Sequence, residues 1–280
     1  MNRIILGLAL ACVSLLTPAA ELEESVYGSG TNRFVLATGS PGELGLLKVL
    51  AEKFGSTHDA QMVWVKAGTG QSLNLLRDKK VDMAMVHAPA QVDKALQEGW
   101  ASGKTLIGSN EFYIVGPKAD VAKIASASSV VDAYRRIAEA QSAFVSRGDN
   151  SGTHQKEMQI WKRAEVTPDG SWYIVTKGFM TASLKRANRE GAYFMSDSST
   201  WIMEKNVAPE LMILFRGDRF LVNTYHAIVA PKGATQGRDT AEKFVAFVAS
   251  SEGQQIIAQY GMAMFGEGLY NDANYAKRFD

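Results

Sequence analysis

Three segments of this sequence place glycine and hydroxyl residues where a strand gives way to a helix. They are Thr38-Gly39-Ser40-Pro41-Gly42, Gly68-Thr69-Gly70-Gln71-Ser72 and Ser146-Arg147-Gly148-Asp149-Asn150-Ser151-Gly152-Thr153. At a helix start the first backbone N–H groups lack acceptors and the helix dipole is positive. Glycine lets that backbone come close to a ligand and hydroxyls add donors, so each turn is suited to an oxyanion. Ser and Thr are also ordinary N-caps, and glycines are ordinary turn residues. A single turn therefore says little; three with the same design say more. The third adds Arg147, whose forked guanidinium suits tetrahedral or carboxylate oxygens. The competing reading of Arg147 is a surface ion pair with Asp149.

Other chemistry is poorly supported. No Gly-x-Ser-x-Gly elbow occurs, and the glycines from Gly39 to Gly45 are not followed by the Lys-Ser/Thr of a P-loop. Gly68-Thr69-Gly70 lacks the third glycine of a dinucleotide fingerprint. His58, His87, His154 and His226 are scattered without metal-ligand spacing, so no metal is expected. Ser151 and His154 are three residues apart and could form a nucleophile and base, which leaves a secreted serine hydrolase as an alternative. The competing assignment has Ser151 capping a helix and His154 packing structurally. Asp197 and Asp218 read as exposed capping residues. Trp64, Phe112, Tyr113, Trp161, Trp172, Tyr173 and Phe194 read as core.

The elements around these turns alternate. Candidate strands lie at 33–38, 61–66, 83–87, 111–115, 143–146, 171–176, 192–195, 211–215 and 222–229. Candidate helices lie at 44–54, 71–79, 91–98, 128–139, 152–164, 180–189, 240–250 and 252–260. This alternation predicts an α/β fold with two sheets of mainly parallel strands flanked by helices. In such sheets ligands sit beyond the carboxyl ends of the strands, where all three turns fall. Gly116-Pro117 and Pro231-Lys232-Gly233 end two strands and mark domain crossings. One lobe is thus expected at 33–115 plus 223–280 and a second at 116–222, with two hinge crossings and a ligand in the cleft. A single continuous domain is the alternative.

Composition fits this picture. The chain has 280 residues, with 30 basic against 29 acidic side chains and 46% hydrophobic residues. That supplies ample core for one large or two ordinary domains and argues against nucleic-acid binding. Arg3, an apolar run to Leu16 and Thr17-Pro18-Ala19-Ala20 read as a signal peptide over 1–20. Its removal would leave 29 basic and 29 acidic residues and take away Cys12, the chain's one cysteine. Ala9-Leu10-Ala11-Cys12 faintly resembles a lipoprotein cleavage site, but the apolar run continues beyond it, so cleavage near 19–21 is expected. The expectation is an exported protein of the periplasm.

The third turn, continued as His154 with Lys156-Glu157, resembles the signature of periplasmic tungstate-binding proteins of ABC importers. The ordered set of matches spans most of the mature chain. It includes Gly68 to Leu73, Val86-His87-Ala88-Pro89, Asn110 to Pro117, Gly191-Ala192-Tyr193 leading to Ser196-Asp197, Val222-Asn223-Thr224-Tyr225, and Phe265 to Tyr270. The resemblance implies a two-lobed periplasmic binding protein, monomeric and without catalysis or cofactor. Such a protein closes on tungstate, then molybdate, and delivers it to a membrane permease. It implies Thr38, Ser40, Thr69, Gly70, Arg147, Ser151 and Thr153 as ligand-binding positions. The first turn departs from the family's usual Thr-Thr-Thr-Ser: two hydroxyls are missing, and the acid Glu43 stands nearby. An anion binder or sensor of the same fold with a different ligand is the remaining alternative. Tungstate is fully ionised and requires donors only, whereas an inward Glu43 would favour a protonated anion such as phosphate.

Overall fold

Apolar β-branched runs followed by helices with one apolar face must bury those faces on a shared sheet. The computed structural model describes residues 23–280, so the expected signal peptide and Cys12 lie outside the described residues. Among the described residues eleven strands form: β1 Glu24–Tyr27, β2 Asn32–Thr38, β3 Ala60–Lys66, β4 Met83–Val86, β5 Ser102–Pro117 and β6 Phe144–Ser146. They continue as β7 Tyr173–Val175, β8 Tyr193–Asp197, β9 Leu211–Phe215, β10 Val222–Val229 and β11 Asn271–Asp272. The helices are α1 Ser40–Glu43, α2 Leu46–His58, α3 Thr69–Arg77, α4 Pro89–Gln97, α5 Val130–Glu139 and α6 Gly152–Arg163. After them come α7 Met180–Glu190, α8 Ser198–Glu204, α9 Arg238–Ala249, α10 Ser251–Gln259, α11 Met262–Phe265 and α12 Ala273–Ala276.

The strands run in the order β1-β3-β2-β4-β10-β5-β8-β6-β7, with β9 and β11 also on β5. Strands leading directly into helices pair in parallel: β2 with β3 and β4, and β6 with β7 and β8. The antiparallel pairs involve β5 and β10, along with β1 at the edge. This is where the architecture differs from the expected pair of mainly parallel sheets. Strand β5 is 16 residues long and changes partners midway. Its pairs with β10 reach Glu111, and those with β8 begin at Phe112.

The core follows the same division. Leu36, Leu47, Phe54, Met83, Phe244 and Tyr225 pack on one side of the first group of strands. Leu73, Leu76, Val86 and Ile228 pack on its other side. In the second group Tyr134, Phe144, Ile160 and Trp161 cover one face, and Met180, Leu184, Phe194 and Trp201 the other. Each group thus buries both faces, as parallel strands require. Buried Asp82 ties the first group together: Oδ2 accepts from Val35 N at 2.7 Å and Oδ1 from Gly237 N at 3.0 Å.

Candidate functional site

Strands β2 and β3 are parallel and feed the first two glycine-bearing turns, while β6, from the second group of strands, feeds the third on the opposite side of the cavity. At the first, Pro41 falls in the opening turn of α1, where its missing N–H costs nothing. Thr38 donates its hydroxyl to Met85 O at 2.8 Å, and Trp64 Nε1 donates to Thr38 O at 2.9 Å, so this turn is fixed to β3 and β4. At the second, Gly68 caps α3 in an extended conformation and leaves Thr69 as the first helical residue. Among the described residues no hydrogen bond engages the Ser40 or Thr69 hydroxyl.

The third turn is organised by Asp149. Its Oδ1 accepts from Ser151 N at 3.1 Å, while Oδ2 accepts from Arg147 Nη2 at 2.6 Å and Nε at 3.1 Å. Arg147 Nε also donates to Gly178 O at 3.2 Å. Sequence alone opposed an Asp149 ion pair to an inward guanidinium, and both occur, because Arg147 is only 4% exposed. Ser151 caps α6, its Oγ accepting from His154 N at 3.3 Å. The His154 ring instead accepts from Asn150 N through Nδ1 at 3.0 Å. Among the described residues the imidazole makes no hydrogen bond to the Ser151 hydroxyl, so the nucleophile–base pair of the hydrolase alternative is not assembled.

Thr38, Ser40, Thr69, Arg147 and Ser151 line one cavity. Gly70 and Thr153 are not among its lining residues. Thr153 is buried one position into α6, and Gly70 backs onto Asn150, whose Nδ2 would be 2.6 Å from a Cβ at that position. The walls are completed by Pro41, Glu43, Met85, His87, Phe179 and Tyr225. Phe179 arrives from a fourth strand-to-helix turn, Thr176-Lys177-Gly178-Phe179, between β7 and α7. Its ring lies 4.8 Å from Lys66 Nζ and 5.5 Å from Arg147 Cζ, between two cations from opposite sides of the cavity. Gln91 of α4 donates to Gln155 of α6 at 2.7 Å and joins the same two sides.

The charges of the cavity are compensated in pairs, Arg147 by Asp149 and Lys66 by Glu43 at 3.2 Å. Lys66 also meets Glu23 at 3.1 Å. Burial raises the Glu43 carboxyl above its ordinary value, while Lys66 pulls it back. An anion entering here meets hydroxyls, helix-start amides and a guanidinium, but also one carboxylate wall. Replacing Glu43 by Gln should remove that repulsion and leave Lys66 on Glu23. Screened as strongly as in bulk water, unit charges about 4 Å apart interact by about 1 kcal/mol, so anion binding should tighten at least roughly fivefold by calorimetry. Weaker binding in Glu43→Gln would make Glu43 an acceptor for the ligand instead.

The profile of the PBP superfamily domain matches residues 25–252. The tungstate-binding protein TupA of Peptoclostridium acidaminophilum is 31% identical over 271 residues, which cover 95% of this chain and 93% of that protein. Among solved structures, the tungstate ABC transporter from Geobacter sulfurreducens matches with a TM-score of 0.75 and 34% identity, over 83% of this chain and 100% of that one. The tungstate-binding protein TupA from Desulfovibrio alaskensis G20 matches with a TM-score of 0.71 and 34% identity, over 86% of this chain and 98% of that one.

Proposed function

The chain belongs to the PBP superfamily, and from that premise we propose that it is an extracytoplasmic binding protein for a tetrahedral oxyanion, tungstate ahead of molybdate. The observation that carries this reading is the meeting of Thr38, Ser40, Thr69, Arg147 and Ser151, from three separate turns, around one cavity. In this reading the hydroxyls of Ser40, Thr69 and Ser151, the helix-start amides and the guanidinium replace the water an oxyanion loses, while Thr38, whose hydroxyl proton goes to Met85 O, shapes the wall. The two groups of strands are the two lobes, which cross at β5 between Glu111 and Phe112 and at the start of β10. Closure brings Arg147 and Ser151 onto the turns that hold Ser40 and Thr69. The tungstate-binding relatives support tungstate as the ligand and an ABC transporter permease as the acceptor. The protein then acts as a monomer in the periplasm, with no catalytic step and no cofactor.

Calorimetry and thermal unfolding with tungstate, molybdate, sulfate and phosphate test this reading. A ligand at a thousandfold excess over Kd stabilises the bound form by about 4 kcal/mol. For a protein of this size that is a rise in Tm of roughly 10 °C. Tungstate should give the largest shift. Heat-neutral titrations and an unmoved Tm with all four anions would reject the reading, and phosphate binding more tightly than tungstate would transfer it to a protonated oxyanion.

A further inference from the structure

A buried chain of hydrogen bonds leads from the strands joining the two halves to one wall of the cavity. It begins at Asp197, which caps α8 as expected but is buried rather than exposed, at 2%, because Asn110 and the Ser199 and Thr200 hydroxyls close over its carboxylate. The Asp197 carboxylate accepts from Ser199 Oγ, from Thr200 N at 2.9 Å, from Thr200 Oγ1 at 2.8 Å and from Asn110 Nδ2 at 3.3 Å. A carboxylate that serves N–H and O–H donors in this way fixes the direction of everything beyond it. The Asn110 amide nitrogen faces Asp197, so its Oδ1 accepts from Asn223 Nδ2 at 2.8 Å. Asn223 Oδ1 therefore faces His87 Nδ1 at 2.8 Å and can only accept. The proton of neutral His87 is thus held on Nδ1, and Nε2 presents a bare lone pair. The ring lines the anion cavity, and among the described residues no hydrogen bond engages Nε2.

Resting on the oxyanion reading above, we propose that His87 is the proton-accepting residue of the anion site. Nε2 takes one proton from solvent as a doubly charged oxyanion enters, and the new N–H donates to a ligand oxygen. The Nδ1–H bond to Asn223 survives protonation, because imidazolium donates from both nitrogens. The site thereby gains a second cationic donor only when an anion is present to stabilise it.

The surroundings keep His87 neutral until then. Burial pushes it down to about 4, with Arg147 and Lys156 opposing its protonation and Asp149 and the Asn223 bond favouring it. From β10 the Tyr225 ring lies 5.0 Å away, and from β5 the Phe112 ring lies 6.2 Å away. Glu43 is the other cavity group that could take up a proton, but Lys66 holds its carboxylate at 3.2 Å. A proton bound more tightly in the complex than in the free protein strengthens binding as pH falls. The window opens at the bound-state value of His87 and closes at its free-state value near 4.

The test is calorimetry with tungstate in buffers of different ionisation enthalpy, which counts protons taken up, on wild-type, His87→Asn and Glu43→Gln proteins. Wild type should take up at least half a proton at pH 6.5 and bind at least threefold more weakly at pH 7.5 than at pH 6. Glu43→Gln should keep the uptake. His87→Asn should lose both the uptake and the pH dependence while it still binds. In ¹⁵N-histidine-labelled wild-type protein, the Nε2 resonance of His87 should move to the protonated position on saturation, a readout that needs no folded variant. Tungstate binding without proton uptake, or uptake that persists in His87→Asn, overturns this proposal alone. Absence of any oxyanion binding overturns it together with the function it rests on.

Discussion

Replacing Arg147 by alanine should weaken tungstate binding by about two to three orders of magnitude and leave the protein folded. Arg147 is the one cavity cation whose guanidinium is almost wholly buried, at 4% exposed. Removing one partner of a buried, hydrogen-bonded charge pair costs about 2–5 kcal/mol, and each 1.4 kcal/mol is tenfold in affinity. The substitution also strips Asp149 of two donors at 2.6 and 3.1 Å, so an uncompensated carboxylate is left beside the incoming anion. Arg147→Lys should recover only part of the loss, because a single ammonium cannot serve Asp149, Gly178 O and a ligand in the fork geometry. Calorimetry gives the affinities, and circular dichroism of the unliganded variants checks the fold. An Arg147→Ala protein that binds as tightly as wild type would take Arg147 out of the site.

Arg147 could be singled out from sequence because its signal is local. A strand that ends in Gly, Ser and Thr and runs into a helix announces itself within about ten residues, and the turns of Thr38, Thr69 and Ser151 all do so. What each side chain faces is settled at longer range. Glu43 could be noted but not oriented, since its direction depends on Lys66, a residue of the next strand. Phe179 sits in a turn of the same architecture as the other three. Its Thr176-Lys177-Gly178 lead-in carries only one hydroxyl, and a strand-plus-glycine-plus-helix search without the hydroxyl requirement would have found it. His87 stands out in the sequence only as a scattered histidine and as part of the Val86-His87-Ala88-Pro89 match, with no role assigned, because the partner that sets its tautomer, Asn223, is 136 residues away. Gly70 and Thr153 show the opposite limit: they belong to the turns that reach the cavity, but their places within α3 and α6 leave them off its wall.

The fold divides similarly. Runs that are apolar on both faces, such as those of β2, β3 and β4, are legible because helices cover the sheet on both sides. The first half of β5, from Ser102 to Asn110, is rich in Ser, Gly and Asn and is held as strand by pairing with β10. Strand β1 has alternating half-buried residues on an edge and lies before the first candidate strand at 33–38. Both owe their conformation to a partner far along the chain, which composition within a window cannot reveal.

The halves meet so closely that a single methyl group should separate binding from folding. A Cβ at Gly152 would lie 2.2 Å from His87 Cε1, and one at Gly70 would lie 2.9 Å from the Asn150 carbonyl oxygen across the same gap. The His87 ring cannot retreat, being held by Asn223 at 2.8 Å and backed by Tyr225. Both glycines open helices, where alanine by itself is favoured by up to about 1 kcal/mol. In Gly152→Ala and Gly70→Ala the conformation with the halves apart should therefore keep or gain stability, while the approach of the halves becomes strained. Overpacking of this kind costs about 1–3 kcal/mol. Apparent affinity scales with the fraction of protein able to reach the binding geometry. Gly152→Ala should then bind tungstate roughly 5–150-fold more weakly, with an unliganded Tm at or above that of wild type. X-ray scattering at saturating ligand should give a larger radius of gyration than wild type under the same conditions. Destabilisation of the unliganded protein would mean that the contact belongs to the resting fold. Wild-type affinity in both variants would mean that the anion is held without bringing Arg147 and Ser151 onto the turns of Ser40 and Thr69.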